Sequence, residues 1–578
     1  MNEAVSAFSP IENVLFWLFV TCFAVSALVL LYRANDLFMV DIPAAGGELT
    51  EGIIGTPHLA NPLFATSEAD KDIVSLVYAG LMKVESDGRL VPELAKSYTI
   101  SDDGKTYTFN LRDGITFHDG EPITADDVEF TIRKAIDPAV KSPKRANWEG
   151  VTVSVPNPEQ IVFTLRQPYA AFLESTTLGI LPKHLWKVLD PEQFAFSQYN
   201  AQPIGAGPYK IDVVNKNNLG VPTQYSFIPF EQYTLGSPLI SKLNFTFYPS
   251  EEAAIEGYGI GEIEALNTLT PQKADSVKKP GSTILQAALP RIFGVFFNQN
   301  QNALFTQKEV RAALEMAVDR HEIIANVLNG YGSPLAGPVP TNFMIDDSSA
   351  STAIATIAAS TTARIEDAKK LLAKNGWKLG DNGVMQKTVK KTTSTLTFTL
   401  STANSEDLIK TAQLLKKQWE MIGAKVDVRS SEEGEFKQTV LRPRKYESVL
   451  FGEAVGRNLD LYAFWHSSQR NDPGVNIALY TNAKADKLLE QARSESESTK
   501  RAKLINQFTQ ELTKDQPAIF LYSPSFLYLL PDKVKNVELT KTSDPSERFA
   551  EIERWFINTE RVWDINIFTN KTSVINKQ

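Results

Sequence analysis

Residues 98–136, YTISDDGKTYTFNLRDGITFHDGEPITADDVEFTIRKAI, constrain the fold of this chain more than any other stretch. Asp102-Asp103-Gly104 reads as a tight turn, because Asp tolerates turn geometry and Gly supplies positive φ. After it, Tyr107, Phe109 and Leu111 alternate with Thr106, Thr108 and Asn110, which predicts a strand buried on one face. A second strand segment, residues 98–100, precedes the turn. Asp113-Gly114 and Asp119-Gly120 then bracket Thr116-Phe117-His118 in two further turns. Thr124 reads as a helix N-cap, with Asp126 and Asp127 placed to meet the free N–H groups of the first turn. Val128, Ile132 and Ile136 continue at helical spacing, so residues 125–136 are an amphipathic helix.

The rest of the chain alternates elements in the same manner. Strands are expected at residues 47–55, 224–229, 242–248, 294–298 and 517–522, with a hairpin at 151–155 and 160–165. Residues 69–81 form a helix. Thr306 and Glu309 read as a capping box opening a helix that Gly330 stops, with Val310, Ala313, Leu314, Ala317 and Val318 on its buried face. Residues 350–362 are small and polar, an insertion or a mobile loop. Strand 396–400, the stripe Leu408, Ala412, Leu415, Trp419 and Ile422, and strand 425–428 make one α/β unit with a right-handed crossover. The overall class is α/β.

Residues 14–32 carry no charge and are long enough to cross a bilayer once. The expected layout is an N-terminal flank at 1–13, a transmembrane anchor at 14–32 and a tether at 33–46. A cleaved signal fits less well, since the run is long and lacks a basic flank or a small-x-small site. Cys22, the single cysteine, sits inside this run, so neither an intramolecular disulfide nor a cysteine-based zinc site can form. The flanking charges, Glu3 and Glu12 before and Arg33 after, would by themselves place the body in the cytoplasm. With 59 basic and 68 acidic residues the net charge is −9, which gives no nucleic-acid footprint. The histidines, His58, His118, His184, His321 and His466, show no metal-ligand spacing, and no nucleophile elbow, phosphate loop or dinucleotide fingerprint is present. Catalytic residues, metal ligands and cofactors are therefore not expected.

The order S-x-DGKTYTF-x-LR-x-G-x-x-FHDG-x-P-x-TADDV-x-F resembles the signature of the extracytoplasmic solute-binding proteins, family 5, which serve peptide and nickel ABC importers of the dipeptide- and oligopeptide-binding type. Asn61-Pro62-Leu63, Tyr78-Ala79-Gly80-Leu81, Pro203-Ile204-Gly205-Ala206-Gly207-Pro208-Tyr209 and the run from Val310 to Arg320 extend the likeness. It implies a class II periplasmic-binding-protein-like fold of two lobes with an extra inserted domain. Lobe I would comprise 47–81, 203–297 and 531–578, the inserted domain 82–202 and lobe II 298–530. By the same resemblance, the protein is no enzyme. It would bind a peptide between its lobes by hinge closure and hand it to the transmembrane subunits of an ABC permease. The body would be a monomeric extracytoplasmic domain held on the cell membrane by its N-terminal helix, overriding the charge flanks.

The ligand main chain would meet Thr66, Ser67 and Glu68 of lobe I. In lobe II it would meet Phe451, Gly452, Glu453 and Ala454, with Asp460 as the remnant of an acidic motif. Glu453 is the candidate anchor for the ligand's ammonium, and Phe451, Phe464 and Trp465 are candidate aromatic walls that core packing explains equally well. Alternatives are a metal chelate, haem or oligosaccharide as ligand, or an exported enzyme or chaperone on the same fold.

Overall fold

The computed structural model describes residues 9–267, 269–340, 343 and 361–563. Most of the insertion expected at 350–362, the first eight residues of the flank and the last fifteen of lobe I lie outside the described residues. Helix α1 (Pro10–Leu37) opens on a capping box between Ser9 and Glu12. Its residues Pro10–Arg33 are long and apolar enough to span a membrane, and the protein body buries none of them. The expected tether is ordered: β1 (Met39–Ala44) pairs antiparallel with a C-terminal strand, Asn558–Trp563. Trp563 Nε1 donates to Asn35 Oδ1 at 2.8 Å, and Arg561 Nη1 bonds Asp36.

β2 (Glu48–Ile54) leads into lobe I, followed by α2 (Glu68–Val77). The inserted domain holds β3 (Ala95–Ile100), β4 (Thr106–Leu111), α3 (Ala125–Ile136), β5 (Thr152–Asn157) and β6 (Gln160–Thr164). Its antiparallel sheet runs β3-β4-β6-β5. The alternation in β4 does what the sequence demands: Tyr107, Phe109 and Leu111 are buried, and Phe109 meets Phe163 edge-on at 5.8 Å. Thr124 and Asp127 form the cap of α3. His118 ties this domain to lobe I. Its N–H donates to Gly205 O at 2.8 Å, and its Nε2 lies 3.0 Å from Gly207 O. The crossing itself needs Gly205, since a Cβ there would fall 2.1 Å from Val77 O.

Lobe I continues with β7 (Tyr209–Lys216), β8 (Pro222–Pro229), β9 (Lys242–Tyr248), β10 (Ala265–Asn267) and β11 (Ser282–Ala288). Lobe II is built on β12 (Arg291–Phe297), α4 (Lys308–Ala317), β13 (Thr397–Ala403), α5 (Glu406–Glu420), β14 (Lys425–Ser431) and β15 (Ser448–Ala454). This moves two expected boundaries, because Ile292 and Val295 to Phe297 pack in the core of lobe II and Phe526, Tyr528 and Leu530 in that of lobe I. One long strand, β16 (Ala518–Pro531), serves both lobes. Residues Ala518–Tyr522 pair with β12, and Ser525–Pro531 pair with β11. The resulting sheet runs β14-β13-β15-β12-β16-β10-β2-β9-β8-β7. Two large cores flank the handover: one spans residues 292–522, the other combines residues 49–289 with 526–555. β13 and β14 are parallel and joined through α5, the α/β unit expected from the helical stripe.

Three helix boundaries differ from expectation. α2 ends at Val77 rather than at residue 81, where Tyr78 turns extended. Thr306 lies in a short 3-10 turn with its hydroxyl on Ala303 O, and Gln307 is the N-cap of α4. Glu309 is drawn away to Lys387, 2.8 Å distant. The helix also stops at Ala317 rather than at Gly330. Val318 is extended, and Asp319 caps a second helix, Arg320–Val327, by accepting from Glu322 N at 3.0 Å. Asp followed by Glu three residues later is itself a helix start.

Candidate functional site

β15 ends with a free edge. Residues Phe451 to Ala454 pair with Gly294 to Arg291 of β12 on one side. On the other side β13 registers only with Ser448 and Val449. Among the described residues no strand continues along that edge past Leu450, whose carbonyl takes the Thr402 hydroxyl at 3.1 Å. The N–H and C=O groups of an unpaired edge form a template for an added extended chain. Phe451 and Gly452 are half-buried and Ala454 is exposed. Glu453 is 5 % exposed, and neither carboxylate oxygen has a hydrogen-bond partner. Burial pushes its pKa well above the ordinary carboxylate range, against the opposing pull of Arg444.

In lobe I the expected contact loop is held from behind. Asp70 accepts from the N–H groups of His58 and Leu59, each at 2.8 Å, and from the Ser67 hydroxyl at 2.6 Å. Ser67 in turn caps α2 through Asp70 N. Thr66 is left exposed, with Ser67 and Glu68 half-buried. Burial, then the nearby Asp544, raises the Glu68 pKa.

These two segments, nearly 400 residues apart in sequence, converge on residues 544–547. From lobe I, Lys71 Nζ lies 2.6 Å from Asp544 Oδ2. From lobe II, Arg457, three residues beyond β15, pairs with Glu547 and approaches Glu174 of the inserted domain at 3.9 Å. Asn458 Nδ2 adds a 2.7 Å bond to Glu174. Arg457 is thus a cation of lobe II seated on two carboxylates of the opposite lobe. Arg493 of lobe II also meets the inserted domain, accepting Ala170 N–H at 3.1 Å and lying over the Tyr169 ring.

Behind this convergence lies a cavity of about 340 Å³, lined by lobe I and the inserted domain and by no lobe II residue. Its lining includes Ala65, Lys71 and Glu547, together with Lys83, Glu93, Glu553, Tyr78 and Tyr233. Lys83 pairs with Glu553 Oε1 at 3.1 Å. Glu93 accepts from Gly80 N at 2.9 Å and from the Tyr233 hydroxyl at 2.6 Å, and burial raises its pKa.

A second charged cluster is structural. Arg548, Glu51 and Asp72 have fully buried side chains. Arg548 Nη1 and Nη2 each sit 2.7 Å from an Asp72 oxygen, and its Nε is 2.9 Å from Glu51 Oε1. Tyr528 on β16 donates to Glu51 at 2.9 Å. One guanidinium serves two carboxylates, and burial raises the Asp72 pKa to about 6.

The remaining candidates lie apart. Asp460 is held by Arg493 at 3.2 Å. Trp465 is fully buried in lobe II against Phe296 and Phe520, and Phe464 packs beside the same core. His118 is a structural clamp, its pKa lowered to about 4 by burial. Among the described residues no three His, Cys, Asp or Glu side chains cluster as a metal site. Sequence reading missed Arg457, Glu547, Glu553 and Arg548, whose ion pairs with Glu174, Arg457, Lys83, Glu51 and Asp72 join parts of the chain far apart in sequence.

The sequence model of the bacterial extracellular solute-binding proteins, family 5 (middle region), matches residues 89–488. The oligopeptide-binding protein AppA of Bacillus subtilis is 28% identical over 540 residues, covering 89% of this chain and 92% of its own. Its structure in complex with a nonapeptide matches with a TM-score of 0.63 at 26% identity, over 89% of this chain and 100% of that one. NikZ from Campylobacter jejuni, in complex with Ni(L-His), matches at 0.64 with 25% identity, over 88% and 99%. The ABC transporter substrate-binding protein CtaP of Listeria monocytogenes matches at 0.72 with 27% identity, over 89% and 99%.

Proposed function

The chain belongs to the bacterial extracellular solute-binding proteins of family 5, a family of ABC-transporter substrate binders and not of enzymes, and from that premise we propose that it binds peptides between its lobes. The free edge of β15 at residues 451–454 carries this reading. A peptide laid along it gains main-chain hydrogen bonds that do not depend on side-chain identity, the mode by which strand addition gives affinity. Thr66, Ser67 and Glu68 close on it from lobe I. Glu453, a buried acceptor without a donor, takes the peptide's amino terminus. The nonapeptide held by AppA supports a peptide ligand; the Ni(L-His) held by NikZ supports a metal chelate as the second reading.

In this proposal α1 is retained as a single membrane anchor, with the body outside the cell delivering its ligand to an ABC permease. The support is the docking of Trp563 and Arg561 onto Asn35 and Asp36, so that the end of the helix belongs to the fold it would otherwise leave. The test is thermal unfolding of the full chain in detergent against pooled di- to decapeptides and against Ni(L-His). A ligand selective for the folded state raises stability by about 2.7 kcal/mol at a hundredfold excess over its dissociation constant. A rise with peptides alone is expected. A rise confined to the nickel chelate, or none, refutes the peptide reading.

A further inference from the structure

The end of α1 is joined to the far end of the chain by a ribbon that the body leaves largely uncovered. β1 and the C-terminal strand Asn558–Trp563 pair in full register, from Met39 with Trp563 to Ala44 with Asn558, as a two-stranded sheet of their own. A pair of strands alone is marginal in water. Most of this one is exposed: Val40, Asp41 and Pro43 on one strand, and Asn558 to Arg561 and Trp563 on the other. Its charges are matched at the helix end, where Arg561 pairs with Asp36 and approaches Asp41 at 3.7 Å. Trp563 is different. Its indole N–H is taken by Asn35 and its ring lies tilted 6.4 Å from that of Phe38, yet the residue is 53 % exposed. Of the eight tryptophans, Trp148, Trp186, Trp377, Trp419, Trp465 and Trp555 are fully buried, and the other exposed one, Trp17, lies within α1.

Position along α1 identifies what covers that ring. The uncharged run 14–32 rises about 28 Å, close to the ~30 Å of a bilayer's hydrocarbon core. Asn35, which holds the indole, lies about 4–5 Å beyond its end. The headgroup layer on each side of the core is about 5–7 Å deep. The hydrogen bond therefore keeps Trp563 at headgroup depth, and the C-terminal strand runs down to that level. A ring with its polar end satisfied and its apolar face bare is the kind of side chain enriched at this boundary. We propose that Trp563 is a lipid-contact residue, and that the lower end of the ribbon seats on the phospholipid interface beside α1. The partner is the bilayer itself. Both strands continue into lobe I, β1 into β2 and the C-terminal strand out of Trp555 in the lobe I core. Lobe I is thereby the lobe fixed to the membrane, and lobe II the one left free to swing. This inference rests on α1 being a retained anchor and goes beyond it, since an anchor on a loose tether would leave the whole body free to turn.

Tryptophan quenching tests it on the full chain, reconstituted in vesicles of phosphatidylcholine and phosphatidylglycerol. In the Trp17→Phe chain Trp563 is the exposed tryptophan that remains, and the doubly substituted chain, Trp17→Phe with Trp563→Phe, supplies the signal of the buried ones. The difference between the two is the emission of Trp563. A nitroxide at the glycerol end of the lipid acyl chain is expected to quench that emission at least about twofold more than one at the methyl end. Quenching by the glycerol-end label that is equal or weaker overturns the inference, as does quenching by aqueous iodide with none from either lipid label. The anchor is tested apart from this, by floating the vesicles after an alkaline carbonate wash. A chain washed off defeats the anchor reading and this inference together. A chain that floats while its Trp563 escapes both lipid labels defeats the inference alone and leaves the anchor standing.

Discussion

Arg548→Met is the substitution with the most sharply defined cost. Arg548 lies with Glu51 and Asp72 in a site with no exposed side-chain surface, and it also donates to Pro545 O at 2.8 Å. Removing the guanidinium leaves two carboxylates of lobe I buried without a cation. Breaking such a set from one side costs about 3–5 kcal/mol. At about 2–4 °C per kcal/mol for a unit of 150–250 residues, the lobe I unfolding midpoint should fall by about 6–20 °C. The deficit should grow as pH rises. A carboxyl whose folded pKa lies above its unfolded value, as Asp72 does at about 6 against 3.8, loses stability as pH rises between the two, and without Arg548 that penalty enlarges. The assay is scanning calorimetry of the full chain in detergent at pH 5 and pH 8. The triple variant Glu51→Gln, Asp72→Asn, Arg548→Met removes every charge of the set, and it should recover at least about half of the loss. A single variant costing under about 1 kcal/mol, or a triple variant no better than the single, would refute the reasoning.

Three further outcomes follow from other charged groups. Glu453→Gln should melt higher than the wild type, by a margin that grows from pH 4.5 upward, because the folded state holds the carboxyl's proton well above its ordinary range; the same variant should weaken peptides with a free amino terminus and spare N-acetylated ones. His118→Gln should flatten acid unfolding: with its pKa lowered from 6.5 to about 4, His118 contributes stability above pH 6.5 that is lost on acidification towards pH 4, at most about 3 kcal/mol, and a variant with the wild-type pH profile of the melting temperature would sink the assignment. Arg457→Met should increase the radius of gyration of the unliganded protein measured by small-angle scattering, since it removes the cation that joins the lobes; no change would mean that Arg457 does not hold them together.

Local patterns carried much of the fold because local physics decides it. The alternation at Tyr107, Phe109 and Leu111 can satisfy only a strand with one buried face, and the structure puts those three side chains inside. The Leu408-to-Ile422 stripe likewise packs on the sheet it was expected to cross. Thr306 was legible as a possible cap but competed with Gln307 for the role, and Lys387, some 80 residues on, took Glu309 out of reach. Charged side chains at the site show the limit most clearly. Arg457 belongs to no local pattern, and its partners Glu174 and Glu547 come from two other parts of the chain. The ordered stretch after α1 was equally hidden, since β1 exists only because the C-terminal strand pairs with it.

The contacts between the lobes explain how such a molecule can open. Across the cleft the named contacts are polar: Arg457 with Glu547 and Glu174, Asn458 with Glu174, and the Arg493 carbonyl with Ala170 N–H. The two large cores lie to either side and are joined through β16 around Ser523 to Ser525. An interface of ion pairs and hydrogen bonds gives up little free energy on parting, because water replaces each bond, whereas an apolar seam would cost its full buried area. Opening therefore leaves Glu174 and Glu547 without their cation but otherwise hydrated. On the proposed reading, a peptide held between the β15 edge and the loop at Thr66 to Glu68 adds contacts that only the closed form offers. That difference in interaction between open and closed states is what a ligand needs in order to shift the hinge.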